Sequence, residues 1–383
     1  MSADAATPSW QQTVVRSRIR SNRLILTYAD GGYAPFVQNF AVGLLALRIT
    51  EFVVVALDNA AWSLLGRLQL SAHAIHFGLD DAPSTHRKPH AVSWYDDGYK
   101  RLMGTQPARV AAVYGYGGFD LLVADADVVW RASPWPLLYA PARAGCELQA
   151  MRGASKGSAE AFAALAAGAP PPPSPLSSPV REPHPSANCA ACLNAGFLFL
   201  RGGRPAVGEL LRRWSALLRQ RRDEDHNQKW LNWVLATGGE LRPDSAAARA
   251  AANGSAPGWA GAPVACTLDA AHFPNGALLR QLVHDAPPSC GCRGRRDCAA
   301  PRAALAPAVA AGHLNFALAA REKVCTAKAW GLWLLSADAA HRESFDVANR
   351  TELAAARRRI DGARADVGDE EGRVVVPARR GGS

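Results

Sequence analysis

Lysine is scarce in this chain. Six residues carry it (Lys88, Lys100, Lys156, Lys229, Lys323 and Lys328) among 43 basic residues, which leaves 37 arginines. The net charge of +10 is therefore nearly all arginine, in a sequence also heavy in Ala, Gly and Pro. It reads as a solvated basic surface, because no basic patch is interleaved with aromatics as single-strand nucleic-acid binding requires. Apolar runs of about 18 residues are absent too, so no segment is expected to span a bilayer. Met1 to Gln12 lacks the basic-then-apolar pattern of a secretory leader. Membrane association is thus expected only through an anchor absent from this chain. A second ligand pair with zinc-knuckle spacing is also missing. Cys189 and Cys192 form a C-x-x-C, but Cys290 and Cys292 stand one residue too close. Disulfides or free thiols are favoured over zinc for the eight cysteines, among which Cys266, Cys290, Cys292, Cys298 and Cys325 gather in the C-terminal half.

What is present is a foldable chain. At 383 residues, with 49% hydrophobic and 20% charged residues, it buries a core without needing disulfides to fold. The apolar run Arg23 to Ala29 reads as a buried strand and Pro35 opens a helix to about Leu47. A β-branched run follows from Phe52 to Leu57, then a short helix over Ala60 to Leu68 and a strand-like piece at Ala74 to Phe77. This βαβαβ order predicts an α/β fold with a mainly parallel sheet and helices on both faces. Further on, the pattern predicts a helix from about Pro107 to Tyr114, a strand from Phe119 to Ala124, another at Asn194 to Leu200 and a helix from Ala206 to about Arg222. Low-complexity stretches at 153–187 and 244–262 read as surface insertions. The chain divides into a poorly ordered N-terminal segment (1–22), one catalytic domain (23–345) and a charged tail (346–383).

Asp125 and Asp127 stand at i and i+2 where the most apolar strand ends. The period-2 geometry of a strand points both carboxylates to one side. Two converging carboxylates are costly to ionise together unless a cation lies between them, so the pair is half of a site for Mg or Mn. The bland alternative is a turn-capping Asp beside a solvated one. Strand-Asp-x-Asp also describes the nucleophile loop of haloacid-dehalogenase-type phosphatases. Those need a later acidic pair behind an apolar strand, and Gly368 to Glu371 lies in the polar tail.

The run Leu121 to Pro134, containing Asp125-Ala126-Asp127-Val128-Val129-Trp130, resembles the signature of the nucleotide-diphospho-sugar transferases of glycosyltransferase family 77, the plant and algal arabinosyl-, xylosyl- and galactosyltransferase-like proteins. Further matches come in family order: Leu26 to Tyr33, Val54 to Asp58, Asn194 to Phe197, Asn227-Gln228 with Asn232, Phe273 to Gly276, His313-Leu314-Asn315 with Lys323, and Gly331 to Trp333. The resemblance implies a Rossmann-like GT-A-type fold and a metal-dependent, retaining transfer from a nucleotide-diphosphate sugar, a UDP-pentose or UDP-galactose, to a glycan or glycoprotein hydroxyl. It implies Asp125, Asp127 and His313 as ligands of Mn2+ (or Mg2+), with Asp125 also touching the ribose, and Lys323 on the diphosphate. Thr27 and Asp58 would flank the nucleoside, Asn194 and Gly196 would lie near the transferred sugar, and Gln228 would bond donor sugar or acceptor. Arg109 is a weaker candidate for the phosphates. The family pattern has Asp where this chain has Asn227, with Asp225 a possible substitute, and Gly where it has Ala319. These departures point to an alternative, a member that binds nucleotide or glycan without turnover. The resemblance, the cysteines and the sequons at Asn253 and Asn349 imply a Golgi lumenal setting.

Overall fold

The computed structural model describes residues 9–77, 97–152, 193–220 and 227–239, with shorter stretches within 259–279, 309–314, 323–335 and 354–360. The elements run α1 (Trp10–Arg18), β1 (Arg23–Ala29), α2 (Ala34–Ala46), β2 (Phe52–Ala56), α3 (Asn59–Arg67), β3 (Ala74–His76), α4 (Asp97–Tyr114), β4 (Asp120–Ala124), β5 (Val128–Trp130) and α5 (Trp135–Leu138). Then follow β6 (Leu148–Arg152), β7 (Leu193–Leu200), α6 (Pro205–Gln220), α7 (Asn227–Thr237), β8 (Ala265–Thr267) and β9 (Ala311–His313).

Seven strands form one sheet in the order β3-β2-β1-β4-β7-β6-β8, and β5 pairs with β9 in a small second sheet. The β3-β2-β1-β4 half is parallel, β7 runs antiparallel to both β4 and β6, and β8 is parallel to β6. The central strands read as unbroken apolar runs because both faces are covered. On one face Ile25, Phe52, Val54 and Leu122 pack with Phe36, Phe40 and Leu44 of α2 and with Leu64 and Leu65 of α3. On the other, Leu24, Leu26, Val53 and Leu121 pack with Val110 and Val113 of α4, Leu210 and Trp214 of α6 and Leu231 of α7. The expected mixed, mainly parallel sheet between two helical layers is present.

Two expectations need correction. Within the segment expected to be poorly ordered, residues 10–18 form α1, capped by Ser9, whose hydroxyl accepts from the Gln12 amide, and bury Val15 against the sheet. With Val15 the one buried side chain of this short helix, there is little periodic signal. The helix expected from Pro107 instead begins at Asp97 and runs through Pro107. Proline suits a helix start because its missing N–H is not needed there, whereas here α4 gives up an internal hydrogen bond to accommodate it. Cys266 joins Cys146 in a disulfide across 120 residues, in line with the preference for disulfides. Cys189, Cys192, Cys290, Cys292, Cys298 and Cys325 lie outside the described residues, as do both sequons, nearly all of the two insertions and most of the tail.

Candidate metal centre

β4 delivers Asp125 to the carboxyl edge of the parallel half-sheet, where function gathers in α/β folds. The Asp125 amide donates to the Gly196 carbonyl at 2.8 Å, and its carbonyl accepts from Val128 at 3.0 Å, closing a turn that holds Asp127. β9 pairs antiparallel with β5, opposing His313 to Val128, and Leu314 donates to the Asp127 carbonyl at 3.3 Å. A histidine distant in sequence thereby meets both carboxylates. His313 Nε2 lies 3.4 Å from Asp125 Oδ2 and 3.3 Å from Asp127 Oδ1. One ligand atom from each of the three residues falls within a 4.8 Å group. Asp127 and His313 are buried, whereas the Asp125 side chain keeps 39% of its exposure, so the group opens to solvent on the Asp125 side.

Lys323 completes the cluster, its Nζ 2.6 Å from Asp127 Oδ2 and 3.4 Å from the Tyr33 hydroxyl. Burial raises the Asp127 pKa, but Lys323 and His313 outweigh it and hold the carboxyl well below the usual range. For His313, burial opposes the charge and the two aspartates overcome it, lifting the imidazole to about 9. Lys323 is likewise disfavoured by burial and raised above its ordinary value by Asp127. Burial also raises the Tyr33 phenol. An anionic pocket that draws a proton onto a buried imidazole is one suited to a cation. The donor set, two carboxylates and one imidazole, suits Mn or Mg, with the nitrogen favouring Mn.

Gly196 backs onto this group from β7. A Cβ there would run into the Asp125 carboxylate and the His313 ring, so the strand approaches the site only because it carries no side chain. Asn194 is buried and its Oδ1 accepts from the Gly196 amide at 2.7 Å. Gln228 reaches the same strand, accepting from Ala195 at 3.4 Å, while Asn232 clamps Leu193 by donating to its carbonyl and accepting from its amide. Asn194 and Gln228 thus stand one step behind the metal group and shape β7.

The first two strands end nearby in the sheet but with their polar groups differently engaged. Asp58 caps α3, Oδ1 accepting from Ala61 at 2.6 Å, and its Oδ2 accepts from Gly31 at 3.1 Å. Thr27 is fully buried, and its hydroxyl has no partner among the described residues. Arg109 is half-buried, with Nη1 lacking a partner among the described residues; burial lowers its pKa and Tyr28 opposes the shift. Asn227 donates to Gln106 and accepts from the Gln228 amide, fixing the start of α7. Asp225 and Ala319 lie outside the described residues. The indoles of Trp130 and Trp333 are core groups, packed on Phe40 and Phe36 respectively. Tyr33, which no sequence motif marks as a site residue, is placed beside Lys323 by the Gly31-Gly32 turn.

The parallel half-sheet thus presents the Asp-x-Asp at the end of β4 with the antiparallel β7 beside it. This chain belongs to the nucleotide-diphospho-sugar transferase family, whose model matches residues 47–285, more than half of its length. Asp125 and Asp127 lie inside that stretch; His313 and Lys323 lie beyond it and join the site through the fold. Membership sets aside the phosphatase reading. Similar solved structures include the galactosyltransferase LgtC in complex with donor and acceptor sugar analogs, at 14% identity over 86% of this chain and 94% of that one, with a TM-score of 0.36. The WbbM bifunctional glycosyltransferase is similar at 12% identity over 67% and 40%, TM-score 0.37. Mouse xyloside xylosyltransferase 1 is similar at 13% identity over 78% and 99%, TM-score 0.35. No curated protein sequence matches the chain significantly. Among the described residues no helix is long and apolar enough to cross a membrane.

Proposed function

We propose that this protein is a Mn-dependent glycosyltransferase that moves a pentose or galactose from a UDP donor to a hydroxyl of a glycan or glycoprotein, retaining anomeric configuration, in the manner of glycosyltransferase family 77. The observation that carries the reading is the Asp125, Asp127 and His313 group with Lys323 against it. These residues would hold the metal, whose charge, when it is bound, neutralises the diphosphate of the donor and of the departing nucleotide. Lys323 adds a point charge for the same oxygens. In this reading Thr27 and Asp58 flank the nucleoside, and Asn194, Gly196 and Gln228 lie near the transferred sugar. Retaining transfer needs no separate general base when orientation and charge stabilisation lower the barrier. Residues 23–345 form the transferase domain in this reading. The Cys146–Cys266 disulfide supports an oxidising lumen such as the Golgi, where cell-wall and glycoprotein glycans are built.

Calorimetric titration of UDP with and without Mn2+, on the wild type and on Asp127→Ala, tests the proposal. Metal-dependent UDP binding that the substitution abolishes is expected; binding indifferent to Mn2+ would contradict it. A second reading, nucleotide binding without turnover, is favoured by Asn227, whose amide is engaged with Gln106 and Gln228 where the family pattern places a carboxylate. Release of free sugar from UDP-galactose and UDP-pentoses separates the two.

A further inference from the structure

We infer that the Cys146–Cys266 disulfide is a positioning element for the metal centre, acting through the segment after β8 on the strand that carries His313. The inference rests on the reading of Asp125, Asp127 and His313 as metal ligands. β8 is a three-residue edge strand with β6 as its sheet neighbour, and Cys266 is its middle residue. Its backbone is tied down at both ends: Val264 accepts from Glu147 at 2.8 Å, and Leu268 donates to Ala150 at 2.7 Å. The disulfide adds the one covalent tie, between two buried sulfurs.

From there the chain runs straight to the site. Asp269 accepts from His272 and Phe273 at 3.2 and 2.9 Å, closing a turn, and the Phe273 ring packs 5.3 Å from Phe197, next to Gly196 in β7. The His272 carbonyl accepts from Ala310 at 2.9 Å, the Pro274 carbonyl accepts from the His313 amide at 3.1 Å, and Asn275 bridges to His313. β9 is therefore held between β5 on one side and residues 272–275 on the other. Because β9 has only three residues, the imidazole is only as fixed as these two neighbours. Anchoring 272–275 at Cys266 holds His313 within reach of both aspartates. Loss of the cross-link frees the edge strand first and the His313 strand next, and leaves the parallel half-sheet alone.

The test compares wild type with Cys146→Ser/Cys266→Ser, reading Mn2+ affinity by electron paramagnetic resonance and amide exchange by mass spectrometry. The double variant is expected to bind Mn2+ at least tenfold more weakly, with faster exchange at residues 310–313 and unchanged exchange in β1, β2 and β4. Unchanged affinity together with unchanged exchange at 310–313 overturns the inference, and so does exchange that rises equally throughout the sheet. Asp127→Asn with the disulfide intact serves as the control for the site. If it binds Mn2+ as the wild type does, the metal reading fails, and the exchange pattern alone then decides whether the disulfide positions β9. Should the serine pair not fold, Cys146→Ala/Cys266→Val, which keeps apolar volume in the buried position, carries the same readouts.

Discussion

Glycine 196 and the buried pair Asp127–Lys323 make the sharpest demands on single residues. A methyl group at 196 meets the Asp125 carboxylate and the His313 ring, neither of which can retreat without leaving the group. Gly196→Ala is therefore expected to lose Mn2+ binding while far-UV circular dichroism stays native; retained Mn2+ affinity would show that the close approach is not needed. Asp127→Asn leaves the Lys323 ammonium buried without its counter-charge. Breaking a buried pair this way costs about 3 kcal/mol or more, and Asp127→Asn/Lys323→Met should recover much of that loss. Urea unfolding of the metal-free proteins measures both values. That Asp125 and Asp127 converge was legible because strand period acts locally, whereas the approach of Gly196 to Asp125 and His313 needed the fold. That Lys323 pairs with Asp127 was not legible, since their meeting is set by chain paths 196 residues apart. Asp58, which the resemblance puts beside the nucleoside, caps α3 through its hydrogen bond from Ala61.

Among the elements, the apolar strands β1, β2, β4 and β7 could be read directly because burial on both faces leaves an unbroken hydrophobic run. The early start of α4 could not, because a proline favoured at helix starts sits inside the helix. Nor could the docking of α1, which depends on a pairing that sequence period does not encode. Arg18 of α1 lies 3.3 Å from His73 Nε2, while Nδ1 approaches the Phe52 carbonyl at 2.9 Å and the ring stacks on Phe52 at 4.1 Å. Burial and then Arg18 press the His73 pKa down, against the Phe52 carbonyl, to about 4. The unfolded chain, with an ordinary imidazole near 6.5, binds this proton more readily than the native state does. Stability is therefore unaffected by His73 above about pH 6.5 and falls as pH drops from there to about 4, by up to about 3 kcal/mol. Denaturant melts across pH 4 to 7 should show this loss, and His73→Gln should flatten it; an identical pH profile for the variant would refute the assignment.

At the scale of the whole molecule, the arginine-rich charge and the family membership point in different directions, and the site resolves them. A +10 chain attracts polyanions without selectivity. Here, though, Asp125, Asp127 and His313 at the carboxyl edge of the sheet are arranged for a cation, with Lys323 against Asp127, and not for a polyanion. Binding of a random duplex should accordingly be weak and should vanish by about 0.2 M salt, as fluorescence anisotropy would show; tight, salt-resistant binding would restore a nucleic-acid role. The order β1-α2-β2-α3-β3, and after it β4 with its Asp-x-Asp, β7 and α6, was readable along the chain. The third ligand needed more, since His313 reaches the carboxylates only through the pairing of β9 with β5 and with the segment after β8.

The central claim is that Asp125, Asp127 and His313 together hold one divalent cation. Electron spin-echo modulation of Mn2+ bound to protein labelled with nitrogen-15 histidine examines it at the ligand itself. One directly coordinated imidazole nitrogen is expected, lost in His313→Ala and in Asp127→Ala. A spectrum without histidine coupling, or one that His313→Ala leaves unchanged, would contradict it.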